Sequence, residues 1–301
     1  MLKKSEIENN INTQWKFSAK KLKEYKYGLC KFILDKSIEL NLSKHIVAST
    51  MNLVNYFFIK NCYFNYDKLT VVSAAFSLSI KLKTSEKNDL NKIFDFYIES
   101  KKDEFENMSN KQIIRNLRKN ILDMEIKIMK LFDNYLPDKF PFEYIYLYSK
   151  ILYPNNNDEI YNLSCKICID SYFTYANNIY QNYIVALCCI FISAKFLDIP
   201  NILEKNFKHI DKMMYIHEKN LEENTFINKM YKFVDDPAEI LLDEKGYGVE
   251  GNKDIYFENL GMDKKLHPFL EMNDLLDCIE MMSAFYEEIK ENYEKINENK
   301  I

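Results

Sequence analysis

The sequence predicts an all-α fold: two tandem five-helix units with additional helices before and after them. Three observations predict it. Glycine is scarce, with 5 glycines and 6 prolines in 301 residues, whereas folds rich in tight turns and phosphate loops consume far more. Apolar residues recur at the helical period along most of the chain. Two segments that are apolar on nearly every side, 69–82 and 184–196, resemble each other and mark an internal repeat.

In chain order, Leu22, Tyr25, Leu29, Phe32, Ile33 and Leu40 trace a first amphipathic helix. Ser43 is placed to cap a second, whose stripe runs Ile46, Val47, Thr50, Met51, Val54, Phe57 and Phe58. Asp67 is placed to cap the third, 69–82, a central helix with no polar face. A short helix follows over 88–99. A long one over 111–132 carries Ile114, Leu117, Ile121, Leu122, Ile128, Met129 and Phe132. Pro141 suits the first turn of a new helix over 142–152. The pattern then repeats with helices at 160–175, 184–196, 203–214 and 219–234. Four of the five glycines fall at Gly246, Gly248, Gly251 and Gly261, which predicts a flexible insert. A last helix begins near 271 and keeps its apolar spacing from Met272 to Ile296.

The repeat has a fixed register. Residues 72–81 align with 186–195 at a constant offset of 114. Small residues match (Ala74 and Ala75 with Cys188 and Cys189), then Ser79 with Ser193, then Lys81 with Lys195. The organisation read from these elements is 1–42 for an N-terminal segment and first helix, 43–136 for the rest of the first unit, 137–236 for the second, 237–270 for a flexible insert, and 271–301 for an acidic C-terminal helix.

Composition narrows the function. With 47% hydrophobic and 29% charged residues the chain is globular. Its net charge of -4 is bland. Residues 271–301 hold nine acids against three lysines, which leaves the rest at +2, far from the basic face of a DNA-binding domain. No glycine-rich nucleotide motif and no P-loop occurs. No apolar run is long enough to span a bilayer, and the start MLKKSEIENN has no apolar core of a signal peptide. The seven cysteines are an odd number set mostly in apolar helical patterns, and read as reduced, intracellular core thiols. Cys165 and Cys168 form an isolated CxxC without the further ligands zinc needs. His45, His209, His217 and His267 have no ligand spacing and read as solvated or capping residues. No cofactor, metal or catalytic constellation is expected, so the chain reads as no enzyme.

The repeat units resemble the cyclin boxes of the cyclin family over roughly residues 15–235. Residues 74–82 resemble the family's Leu-Ala-x-Lys stretch that ends the third helix, which puts the family lysine at Lys81. Residues 124–136, followed by Pro141, resemble the fifth helix and its exit, which puts the family glutamate at Glu125. Trp15-Lys-Phe-Ser, the Tyr153-Pro154 turn and the Tyr172, Tyr175, Tyr180 spacing resemble the transcriptional group, the cyclin H branch most, with the K, T, L and C branches related. Residues 82–84, Leu-Lys-Thr, depart from the family's acidic pair, and the 240–268 insert has no counterpart.

The resemblance implies a noncatalytic subunit that binds and activates a cyclin-dependent kinase. It implies that Lys81 and Glu125 contact the kinase, with Leu82, Met129 and Leu136 supplying apolar area around them. Read from the residues alone, Lys81 is equally a lysine at a helix C-terminus, Glu125 a solvated face, and the three apolar residues internal core. The cyclin H branch further implies a CDK-activating kinase, general transcription factor IIH, an assembly factor, and a nuclear, partly cytoplasmic location. No direct nucleic-acid or membrane partner is expected. A DNA-binding factor of the IIB type shares such repeats, but would carry a basic groove and a zinc ribbon. A helical adaptor without a kinase is the third reading.

Overall fold

The computed structural model describes residues 2–9, 18–83, 87–101, 110–134, 136–137, 139–153, 155–199 and 272–298. Among them there are eleven α-helices, one short 3-10 turn and no strand. In chain order they are α1 (Lys4–Glu8), α2 (Ala19–Glu39), α3 (Lys44–Lys60), α4 (Lys68–Lys83), α5 (Lys87–Lys101), α6 (Asn110–Leu131), α7 (Pro141–Leu152), α8 (Asn157–Ser171), α9 (Ala176–Ile179), α10 (Asn182–Phe196) and α11 (Met272–Glu298). Contacts divide the chain into a unit of residues 1–201 with 273–301, and a second unit, 202–272. The predicted helices at 203–214 and 219–234 and the glycine-bearing insert lie outside the described residues, as do Trp15 and Pro154.

The helix starts follow the predicted signals. Ser43 Oγ accepts from Ile46 N at 3.4 Å. Asp67 Oδ2 accepts from Thr70 N at 3.0 Å. Pro141 opens α7. The helix ends explain how a chain this poor in glycine terminates its helices. Asn41, Asp133, Asn134 and Asp198 adopt left-handed φ of 53°, 49°, 66° and 52°. Leu42 N, Asn134 N and Ile199 N then reach back to Ser37 O, Met129 O and Ala194 O at 2.9, 3.0 and 2.9 Å. Asn and Asp tolerate this conformation better than other non-glycine residues.

In the first repeat α4 is central and packs against α3, α5 and α6. Every residue from Thr70 to Ile80 is buried. In the second, α10 packs against α7 and α8, with Tyr183 to Ile190 all buried. Lys68 and Asn182, the first residues of these two helices, are 114 apart, the offset read from the sequence. The register is visible in one bond. Ser79 Oγ meets Ser49 Oγ at 2.9 Å between α4 and α3, and Ser193 Oγ meets Ser164 Oγ at 2.8 Å between α10 and α8.

The repeats meet through α2, α3 and the turn after α8. Asn55 Nδ2 donates to Tyr172 O at 2.8 Å, and Cys30 Sγ lies 3.4 Å from the same carbonyl. Lys26, 2% exposed, donates to Thr174 O and sits 3.5 Å over the Tyr175 ring. Here the expected helix 160–175 is cut short. α8 stops at Ser171, and Tyr172–Tyr175 turn so that the carbonyls of Tyr172 and Thr174 meet α2 and α3. At the N-terminus, Leu2 and Ile7 pack on Ile59, Tyr56, Tyr175 and Ile179. α11 docks through buried Leu275, Cys278 and Met282. Tyr286 OH donates to Asp170 at 2.8 Å, and Lys23 pairs with Glu288 at 3.0 Å.

Candidate partner-binding site

α4 and α6 lie side by side, which brings Lys81, in the last turn of α4, to Glu125. Lys81 Nζ donates to both carboxylate oxygens of Glu125, at 2.7 Å each. The pair is uneven. The Lys81 side chain is 40% exposed and that of Glu125 only 7%. Glu125 is therefore no solvated face, whereas Lys81 keeps part of its side chain in water. Glu125 is buried because it flanks the core stripe of α6 (Leu117, Ile121, Met124 and Ile128).

Leu82 is 41% exposed and so is not core. Met129 and Leu136 are half-buried. Met129 lies in the last turn of α6, where its carbonyl accepts from Phe132 N and Asn134 N at 3.1 and 3.0 Å. Leu136 lies beyond the helix end. The structure thus joins Lys81 to Glu125 by a direct bond, leaves Leu82 open beside Lys81, and sets Met129 one helical turn beyond Glu125.

The exposed Leu122 and Ile126, at 48% and 51%, flank Glu125 on the same helix. The sequence stripe assigned Leu122 to the core and passed over Ile126. Adjacent apolar pairs such as Ile121 and Leu122 satisfy the period equally well, so the pattern alone cannot say which one faces inward.

The remaining chemistry-bearing side chains among the described residues are structural; His209, His217 and His267 lie outside them. All seven cysteines are free and buried. Burial pushes the Cys165 and Cys168 thiols up, which suppresses the thiolate that redox chemistry needs. His45 is neither solvated nor capping. It stacks edge-on against Phe142 at 5.0 Å, and burial, with Lys44 and Lys83 nearby, pushes it down to about 4. No cluster of metal-ligating residues occurs among the described residues, and none of their helices is long and apolar enough to cross a membrane.

No known family profile and no curated protein sequence matches this chain. Solved structures do. A chain in the crystal structure of the yeast RNA Pol II CTD kinase CTDK-1 complex is similar with a TM-score of 0.54 and 18% identity, over 70% of this chain and 67% of that one. A chain in the structure of the CAK complex from Chaetomium thermophilum bound to ATP-gamma-S is similar with a TM-score of 0.52 and 12% identity, over 89% of this chain and 65% of that one. At these identities the likeness is one of fold.

Proposed function

We propose that this chain is a regulatory subunit that binds and activates a cyclin-dependent kinase, with α4 and α6 of the first repeat as the binding face. The observation that carries the reading is the Lys81–Glu125 pair, a bidentate ion pair left half open at the helix junction in a fold shared with chains of two kinase complexes.

A kinase of this class is switched on when its regulatory helix moves inward and its lysine–glutamate ion pair forms beside the nucleotide phosphates. A partner drives that movement by binding the active conformation better than the inactive one. Lys81 and Glu125 supply charged hydrogen-bonding groups for backbone at the end of the incoming helix. Leu82, Met129 and Leu136 exclude water around them, which strengthens those bonds.

The kinase is of the transcriptional group and the complex is nuclear. The cyclin H resemblance and the CAK likeness support a CDK-activating kinase acting within general transcription factor IIH, with an assembly factor as third subunit. The likeness to the CTD kinase complex supports a kinase of the RNA polymerase II tail instead. Affinity capture of the endogenous chain identifies the co-purifying kinase. The reconstituted pair is then assayed on an activation-loop peptide and on a polymerase-tail peptide. The reading stands if the chain raises kinase activity by orders of magnitude and Lys81→Ala and Glu125→Ala reduce that gain. It falls if no kinase co-purifies, or if the captured kinase is equally active alone.

A further inference from the structure

α6 has two apolar faces. Ile113, Leu117, Ile121, Met124 and Ile128 are buried and form the core stripe. Ile114, Leu122 and Ile126 are 36%, 48% and 51% exposed. At about 100° per residue these three fall within an arc of roughly 120°. The same arc holds Arg115, Arg118, Glu125 and Met129, so one surface line runs from the arginines through Leu122 to the kinase-facing end of the helix.

Arg115 and Arg118 are the only arginines in the chain; every other basic residue among its 41 is lysine. Both are exposed. Neither pairs with a carboxylate of the described residues. The Arg118 guanidinium lies 5.5 Å over the Phe94 ring, which holds it toward α5.

Exposed aliphatic residues standing singly need no explanation. Three in one arc with two arginines match the composition of an interface core, where arginine is enriched and lysine depleted. Guanidinium meets a carboxylate through a two-bond fork that lysine cannot reproduce. The aliphatic residues count against nucleic acid, whose phosphates would leave them facing charge.

We infer that the outer face of α6, from Arg115 to Ile126, docks an acidic amphipathic segment of the kinase partner, whose carboxylates pair with Arg115 and Arg118 while its apolar side chains cover Leu122 and Ile126. The inference rests on the kinase reading above and extends its contact by about three turns of α6. Two features identify the occupant: charge complementarity at the arginines, and the continuity of this line with Glu125 and Met129.

The test uses the kinase that co-purifies with the wild-type chain, expressed recombinantly and titrated with purified variants of the full chain at two salt concentrations. R115E/R118E should weaken binding at least tenfold and flatten its salt dependence, with helix content and melting temperature unchanged. R115K/R118K should lose several-fold, because the charge stays and the fork goes. Lys127→Glu, exposed on the opposite side of the same helix, should change affinity less than twofold. If R115E/R118E binds normally while Lys81→Ala and Glu125→Ala bind weakly, the docking surface is refuted and the kinase reading survives. If all three bind normally, both fall. Phosphatase treatment of the kinase that reproduces the R115E/R118E loss would make a phosphorylated residue the ligand and overturn the carboxylate assignment. Self-association that disappears in R115E/R118E would make the occupant a second copy, and overturn it too.

Discussion

Lys81 and Glu125 form a lopsided pair, in which the lysine holds both oxygens of a carboxylate that is far more buried than itself. The two halves are therefore not equivalent on truncation. Lys81→Ala leaves a buried carboxylate without its cation and should cost about 1–2 kcal/mol of stability, the lower part of the usual range because water can reach the vacated site. Glu125→Ala leaves only an exposed lysine and should cost about 1 kcal/mol or less. Binding to the kinase should fall by about 2–4 kcal/mol for each, and the double variant should be less than additive. Denaturant titration and binding isotherms on the same proteins separate the two effects. A melting temperature that collapses while the remaining folded protein binds normally would make the pair purely structural.

Lys26 should make stability depend on pH near neutrality. Burial pushes its ammonium down from the ordinary lysine value to about 7. Above that pH the folded chain has released a proton that the unfolded chain still holds, so stability rises with pH by up to about 1.4 kcal/mol per unit. The clean window is about pH 7 to 9, below the range where Cys30, pushed up to about 11, acts in the opposite direction. Lys26→Met should raise stability at pH 7 and flatten this slope. A slope identical in the variant would show that the proton is held elsewhere.

The serine pairs test the repeat. Ser79→Ala leaves Ser49 without its cross-helix partner, and Ser193→Ala does the same to Ser164. Each should cost about 1–2 kcal/mol. Replacing both members of a pair by Ala should cost less than the two single changes added together, and to a similar degree in the two repeats. Strict additivity in either repeat would mean that its bond contributes nothing.

Gly28 sits mid-way along α2 on the wall of a groove of about 370 Å³, beside Glu24, Tyr25 and Lys68. A Cβ built there meets nothing within 4 Å. Gly28→Ala should stabilise the chain by roughly 0.5–1 kcal/mol through helix propensity alone. A loss of stability on thermal melting would mean that the groove is filled in solution.

α11 is held by one buried row. Met282→Ala should cost about 2–4 kcal/mol, since Met282 is fully buried against Thr174. Tyr286→Phe removes the donor to the mostly buried Asp170 and should cost about 1 kcal/mol. Leu276→Ala, at an exposed position, should be close to neutral. Equal costs for Met282 and Leu276 on chemical unfolding would show that the helix is not docked as described.

The elements were legible wherever a cap or a proline agreed with the period, as at Ser43, Asp67 and Pro141. The central helices were legible because nothing polar interrupts them. Three features were not. Helix ends at Asn41, Asn134 and Asp198 do the work usually given to glycine, in a chain so rich in asparagine that no single one stands out. The second face of α6 was hidden in adjacent apolar pairs. Burial of Glu125 depends on how α6 rotates against α4, which the sequence of α6 alone does not contain. Lys26 did leave a signal: it lies four residues after Leu22 and three before Leu29, on the apolar stripe of α2. A lysine at such a place is either snorkelling outward or held by a carbonyl, and here it is the second.

The seven buried thiols give the chain a set of built-in reporters. Cys30 lies in α2, Cys62 just past α3, Cys165 and Cys168 in α8, Cys188 and Cys189 in α10, and Cys278 in α11. A thiol-alkylating reagent meets a silent native surface, so every adduct records an excursion that opened one particular place. Labelling rates resolved by mass spectrometry would rank those openings, and show whether α11 detaches before either repeat loosens. The map has several blanks, and the one at the proposed binding face matters most. α4, α5 and α6 contain no cysteine, so the helices assigned to the kinase would need a thiol introduced at an internal position such as Ser77 before their breathing could be read.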